Sequence, residues 1–206
     1  MEFIMEFVKI NDELLMGKYP VTNFEYLLFC QQTNRSFPAL IAKNSSLPLS
    51  DSFWQHPGVY VTAYDALDFC KHYGFSLPTS EEWYLAAAGK EKRKYPWGEL
   101  FDVKKCNTYE SEIKTTTPVG QYPEGATPEG CFDMAGNVWE WAVSEHEKYR
   151  GRFVLRGGSF FYSDLAACAV RYQYFRVTRY NDIGFRCCRR ESNTSEMKKK
   201  GKKGEK

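Results

Sequence analysis

The sequence predicts an α+β domain, rich in loops, built from a few helices and short, mostly antiparallel strands. Three observations predict it. Three helical apolar stripes lie within the first 90 residues, each opened by a threonine with an acid three positions on. Five short runs of strand-forming residues follow residue 138. Between them, residues 99–130 carry Thr, Pro, Gly and charge with no sustained period, as a long functional or ligand-stabilised loop region would. Helices early and strands late fit one domain with segregated layers. The 206 residues suffice for one core.

Taken in order, residues 3–16 alternate loosely and predict an opening strand or hairpin. Thr22-Asn-Phe-Glu25 opens the first helix, with Phe24, Leu27 and Leu28 as its expected apolar face. Thr62-Ala-Tyr-Asp65 opens the second, with Ala66, Phe69, Cys70 and Tyr73 as its stripe and Gly74 as its stop. Thr79-Ser-Glu-Glu82 opens the third, which buries Trp83, Ala86 and Ala87 and closes at Gly89. The expected strands are 138–143, 153–155, 160–162, 169–172 and 184–188. Residues 1–190 form the expected domain. Residues 191–206 form a tail.

That tail holds much of the charge argument. Of 28 basic and 26 acidic side chains, six Lys and one Glu fall in the last ten residues, so the body is mildly acidic. A Lys/Gly segment cannot bury apolar surface and is expected to be disordered. It is a solubilising terminus or, alternatively, a contact for nucleic acid. The opening residues are acidic where a signal peptide needs a basic start, and no run approaches a membrane span. A cytoplasmic, reduced protein is expected. Seven cysteines without a C-x-x-C give neither a zinc ribbon nor a thioredoxin-type site. Cys30 and Cys70 read as buried apolar groups, and Cys187 and Cys188 as neighbours pointing to opposite faces of a strand.

Seven motifs then occur in a fixed order: Tyr19-Pro-Val-Thr-Asn23, His56-Pro-Gly-Val-Tyr-Val-Thr62, Leu77-Pro-Thr-Ser-Glu-Glu-Trp83, Tyr95-Pro-Trp-Gly98, Gly136-Asn-Val-Trp-Glu-Trp141, Arg156-Gly-Gly-Ser159 and Gly184-Phe-Arg186. Together they resemble the formylglycine-generating-enzyme (sulfatase-modifying factor) family, over about residues 15–190. The resemblance implies a C-type-lectin-like fold. It implies a calcium site at Asp133, Gly136, Val138 and Glu140, whose two carboxylates and backbone carbonyls are hard oxygen ligands. The alternative is a solvated Asp133 and a structural Glu140, with Arg186 as the candidate partner of Glu140. A second family calcium site, starting at Asn107 and Thr108, is not expected, because 111–115 is short and carries Lys114.

The family's oxidase chemistry uses two thiolates that bind copper(I), and a soft metal needs soft ligands. The matching positions here hold Tyr162 and Ala167. Cys168 lies one residue beyond, which in a strand turns it to the other face. No copper is therefore expected, and Cys168 reads as structural. Other branches of the family use iron and three histidines; His56, His72 and His146 do not suggest that set.

The segment from 160 to 184 instead has the composition of a binding surface. Tyr gives large contact area at small entropy cost, and Ser, Asn and Asp adapt. The expected contacts are Phe161, Tyr162, Ser163, Asp164, Tyr172, Tyr174, Tyr180, Asn181 and Asp182. This arrangement resembles the variable proteins of diversity-generating retroelements, which implies a non-catalytic ligand-binding face, with a protein as the expected ligand. The alternative is an enzyme of the wider family with a departed active site.

Overall fold

The computed structural model describes residues 4–38, 51–144, 152–162 and 166–191. The Lys-rich tail, Ser163, Asp164 and His146 lie outside them. The chain opens with a hairpin, β1 (Phe7–Lys9) and β2 (Leu14–Gly17), paired Val8 to Met16. Asn11 makes the turn by accepting the backbone N–H groups of Glu13 and Leu14 through its side chain.

Three helices follow: α1 (Asn23–Gln32), α2 (Ala63–His72) and α3 (Ser80–Ala88). Each begins with a complete capping box. Thr22, Thr62 and Thr79 accept from the amides of Glu25, Asp65 and Glu82, whose carboxylates accept in return from the cap amides. The faces of α2 and α3 are those the periodicity predicts. The face of α1 differs: Tyr26, Phe29 and Cys30 are buried, while Phe24 is exposed and Leu27 and Leu28 only half-buried. Apolar residues surround this helix, so spacing alone does not choose a side. Tyr26 stacks on Phe69 and Phe29 meets Phe69 edge-on, and these contacts choose it.

The strands are β3 (Trp139–Ser144), β4 (Arg152–Arg156), β5 (Arg171–Gln173), β6 (Ile183–Gly184) and β7 (Cys188–Arg190). They complete a three-stranded sheet, β1-β2-β7, and a four-stranded one, β5-β4-β3-β6, in which β6 runs parallel to β3. Two expected strands are corrected. Residues 160–162 form a turn, because Gly157 and Gly158 adopt φ of +92° and +75° and Tyr162 N–H bonds back to Ser159 O. The run 184–188 is split between sheets: 185–187 cross from one to the other, with Phe185 and Cys187 carbonyls accepting from Val21 and Gly17 amides.

That crossing sends Cys187 into one apolar cluster and Cys188 into a second. The larger cluster joins α1, α2, Trp139, Trp141 and Phe185; the smaller joins α3, β2, Met134 and Cys168. Among the described residues no helix is long and apolar enough to cross a membrane.

Candidate functional site

The end of the four-stranded sheet carries an aromatic face. Trp139 is its floor, buried in β3 with its backbone N–H donating to Asp182 O at 2.8 Å. The rings of Tyr162 and Tyr172 meet Trp139 edge-on, at 5.9 and 5.5 Å between centroids. Tyr174 and Tyr180 meet each other in the same way at 6.2 Å. These four tyrosines come from three separate segments, yet each keeps 41–48% of its surface exposed. Phe161 is exposed beside the buried Phe160 ring, 4.5 Å away, and Asn181 is exposed. Tyr109, from the long irregular region, donates its amide to Tyr162 O and is 62% exposed, which extends the face.

Asp182 is a correction. It is buried, and its carboxylate accepts the Ser159 hydroxyl at 2.8 Å. Burial pushes its carboxyl above the ordinary range, partly offset by that hydrogen bond. Asp182 ties the Gly-Gly-Ser turn to the strand beneath the face and does not belong to its surface. Tyr180 and Asn181 are exposed while Asp182 is buried, and its backbone carbonyl on Trp139 in β3 places it inward.

Beside the tyrosines runs a groove of about 690 Å³ lined by Arg152, Phe153, Gln173, Tyr174, Phe175, Arg176, Thr178 and Tyr180. Six of the eight fall within the 160–184 segment that has the composition of a binding surface, and Arg152 and Phe153 do not. Arg152 and Phe153 belong to β4, far along the chain from Gln173, and only the pairing of Val154 with Gln173 places them together.

Behind the face sits a buried charge network. Arg186 makes a two-pronged bond to Glu140, Nε to Oε2 and Nη2 to Oε1, both 2.7 Å. Trp83 Nε1 donates to the same Oε2 at 2.7 Å, and Arg186 also reaches the carbonyls of Gly17 and Phe132. Burial opposes the charge on Arg186, but Glu140 more than offsets it, so the guanidinium stays charged with a raised pKa. Arg156 is clamped similarly, to Ser80 and to the carbonyls of 168–170.

The family model described as the sulfatase-modifying factor enzyme 1-like domain matches residues 3–191. The chain belongs to this family. It is 31% identical over 202 residues to a Chlamydia caviae protein named serine/threonine-protein kinase pkn1, covering 83% of this chain and 32% of that one. It is 28% identical over 198 residues to inactive C-alpha-formylglycine-generating enzyme 2 of Bos taurus, covering 80% and 65%. The chain thus spans less than two thirds of the length of these relatives.

Among solved structures, Treponema denticola variable protein 1 superposes with a TM-score of 0.69 at 19% identity, covering 93% of this chain and 94% of that one. The Major Tropism Determinant P3c variant gives 0.55 at 14%, covering 90% and 52%. The fold is the C-type-lectin-like α+β fold.

Tyr162 stands on the aromatic face, Ala167 is half-buried, and Cys168 is fully buried in the smaller apolar cluster. Burial pushes the Cys168 thiol up to about 12, so it is not a thiolate near neutral pH. All seven cysteines are buried and free. His56 bonds Thr116 and His72 bonds Gln32.

The four residues expected to hold calcium do not fit it as placed. Both oxygens of Glu140 face a buried guanidinium, and one also takes the Trp83 N–H. A divalent cation there would meet that positive charge directly. Asp133 serves a different network, accepting from Gly120 N at 2.8 Å and Asn137 Nδ2 at 3.4 Å. At Asn107 the loop closes on itself: its Oδ1 accepts from Ser111 Oγ and its Nδ2 donates to Thr115 O. Among the described residues no three His, Cys, Asp or Glu side chains form a metal-holding group.

Proposed function

We propose that this chain is a non-catalytic ligand-binding module of the sulfatase-modifying-factor family, and that its ligand is a protein. The observation that carries this reading is the exposed quartet Tyr162, Tyr172, Tyr174 and Tyr180, raised on a buried Trp139. Half-exposed tyrosines on a rigid sheet offer contact area whose ordering cost is already met by the fold. The position of a family thiol is itself part of this face, as Tyr162. The fold shared with proteins named variable protein and tropism determinant supports a display role, in which 161–181 varies on a fixed scaffold.

Two measurements test the reading. Sequencing this gene from many isolates should show substitutions concentrated at codons 161, 162, 172, 174, 180 and 181, with Trp139, Glu140 and Arg186 unchanged. A uniform spread counts against variable display. Incubating the chain with copper(I), oxygen and a sulfatase-type cysteine peptide should give no aldehyde. Turnover to formylglycine would establish the enzyme reading in its place.

A further inference from the structure

Outside the 160–184 segment, the turn after α3 and the loop that follows it depart from the mildly acidic body. Residues 90–105 hold six basic side chains, Lys90, Lys92, Arg93, Lys94, Lys104 and Lys105, against three acids. Arg93 is neutralised, by Glu91 at 3.0 Å and by Glu129 at 3.3 Å. The five lysines form no ion pair among the described residues; four are exposed and Lys105 is half-buried. The other two acids, Glu99 and Asp102, accept the backbone amides of Lys94 and Lys104 at 3.3 and 3.0 Å, so their carboxylates shape the loop.

The same loop carries an apolar tip. Leu100 is 83% exposed, and Phe101 and Val103 are exposed beside it in the chain. The loop is held by its own aromatic contacts. Tyr95 and Trp97 stack at 5.4 Å with 9° between their planes, and Phe101 tilts onto Tyr95 at 5.7 Å. Trp97 Nε1 donates to Leu100 O at 2.9 Å, and its ring packs on the buried Cys106, Ala135 and Ala166. An ordered apolar tip flanked by lysines without ion partners is complementary to an anionic bilayer, where apolar side chains enter the acyl boundary and ammonium groups meet the headgroups. It suits a nucleic acid less. Bases stack on open aromatic faces, whereas Tyr95 and Trp97 cover each other and the outermost side chain is aliphatic.

We propose that residues 94–105 form a docking surface for an anionic phospholipid membrane, with Leu100, Phe101 and Val103 entering the headgroup boundary and Lys94, Lys104 and Lys105 meeting the anionic headgroups. The proposal is independent of the tyrosine face and of its ligand. A short apolar tip or a few lysines alone holds a protein weakly, so the two act together.

Sedimentation of the full chain with lipid vesicles tests this. The chain should pellet with vesicles of phosphatidylcholine and phosphatidylserine mixed two to one, and about tenfold less with phosphatidylcholine alone. Leu100→Gln and, separately, Lys94→Gln/Lys104→Gln should each weaken binding to the anionic vesicles roughly tenfold. Both variants change exposed side chains; should either fail to fold, Leu100→Ser or Lys94→Gln alone replaces it. An absence of binding to anionic vesicles, equal binding to neutral ones, or weakening by only one of the two variants overturns the proposal. Binding that survives both variants overturns it as well, and its loss on deleting residues 197–206 would assign it to the lysine tail. Retention of single-stranded DNA that Lys94→Gln/Lys104→Gln abolishes, with no vesicle binding, would give the loop to a nucleic acid instead.

Discussion

Two acids near the core have different partners. Glu140 forms a buried ion pair with Arg186, and removing one partner of such a pair leaves a buried charge uncompensated. Glu140→Gln is expected to cost roughly 3–5 kcal/mol in urea unfolding. Asp133 is half-buried and hydrogen-bonded, with no direct ion pair among the described residues, and desolvation raises its carboxyl to about 6, against ~3.9 in an unfolded chain. A raised acid pKa means that folding disfavours the charged form. The penalty is present above pH 6 and disappears as pH falls toward 4, so this group makes the fold more stable on acidification. Asp133→Asn removes the dependence. Relative to the variant, the wild type should gain about 2 kcal/mol between pH 7.5 and pH 4, read by denaturant unfolding at each pH. A parallel pH dependence in both chains would refute the placement of Asp133. Cys168 belongs to the same scale. With its thiol near 12 and buried, it should resist iodoacetamide at pH 7.5 in the native chain and react only on unfolding.

The elements were legible where chemistry is local. Each of the three helices starts where a threonine and an acid three residues later satisfy two amides, and that pairing needs no tertiary contact. Thr22→Ala, Thr62→Ala and Thr79→Ala are each expected to cost about 1 kcal/mol. The apolar face of α1 was not legible, because aromatic packing against α2 decides it and the sequence offers apolar residues all round. Strand 160–162 was misread for a related reason. Its composition suits a strand, but the glycine pair before it turns the chain. Gly157 also lies against the indole of Trp83, where a Cβ would sit 3.1 Å from the ring. Gly157→Ala is expected to destabilise by more than 1 kcal/mol through both the positive φ and that contact, measured by thermal unfolding.

At the scale of the molecule, support and display are separate. The Glu140–Arg186–Trp83 network and the Asp182–Ser159 bond are buried, and the four tyrosines are exposed. Exposed residues so placed should be exchangeable with little effect on folding. A Tyr174→Ala/Tyr180→Ala chain is expected to lose about 1 kcal/mol of stability or less while losing ligand affinity by far more. Comparable losses of both would mean that the face is part of the core.

The sequence by itself determined the family, the three helices and their caps and the absence of thiols at 162 and 167, because each depends on neighbours a few residues away or on a motif in a fixed order. Its clusters at 161–164, 172–175 and 180–182 are exposed where they are described, except for Asp182, which is buried. Tertiary structure alone decided that Asp182 is buried, that Glu140 is given to Arg186 and Trp83, and that Arg152 and Arg176 share a groove. Those facts depend on which strands pair and which way a side chain turns, and contacts between residues far apart in the chain are set only when the sheet closes.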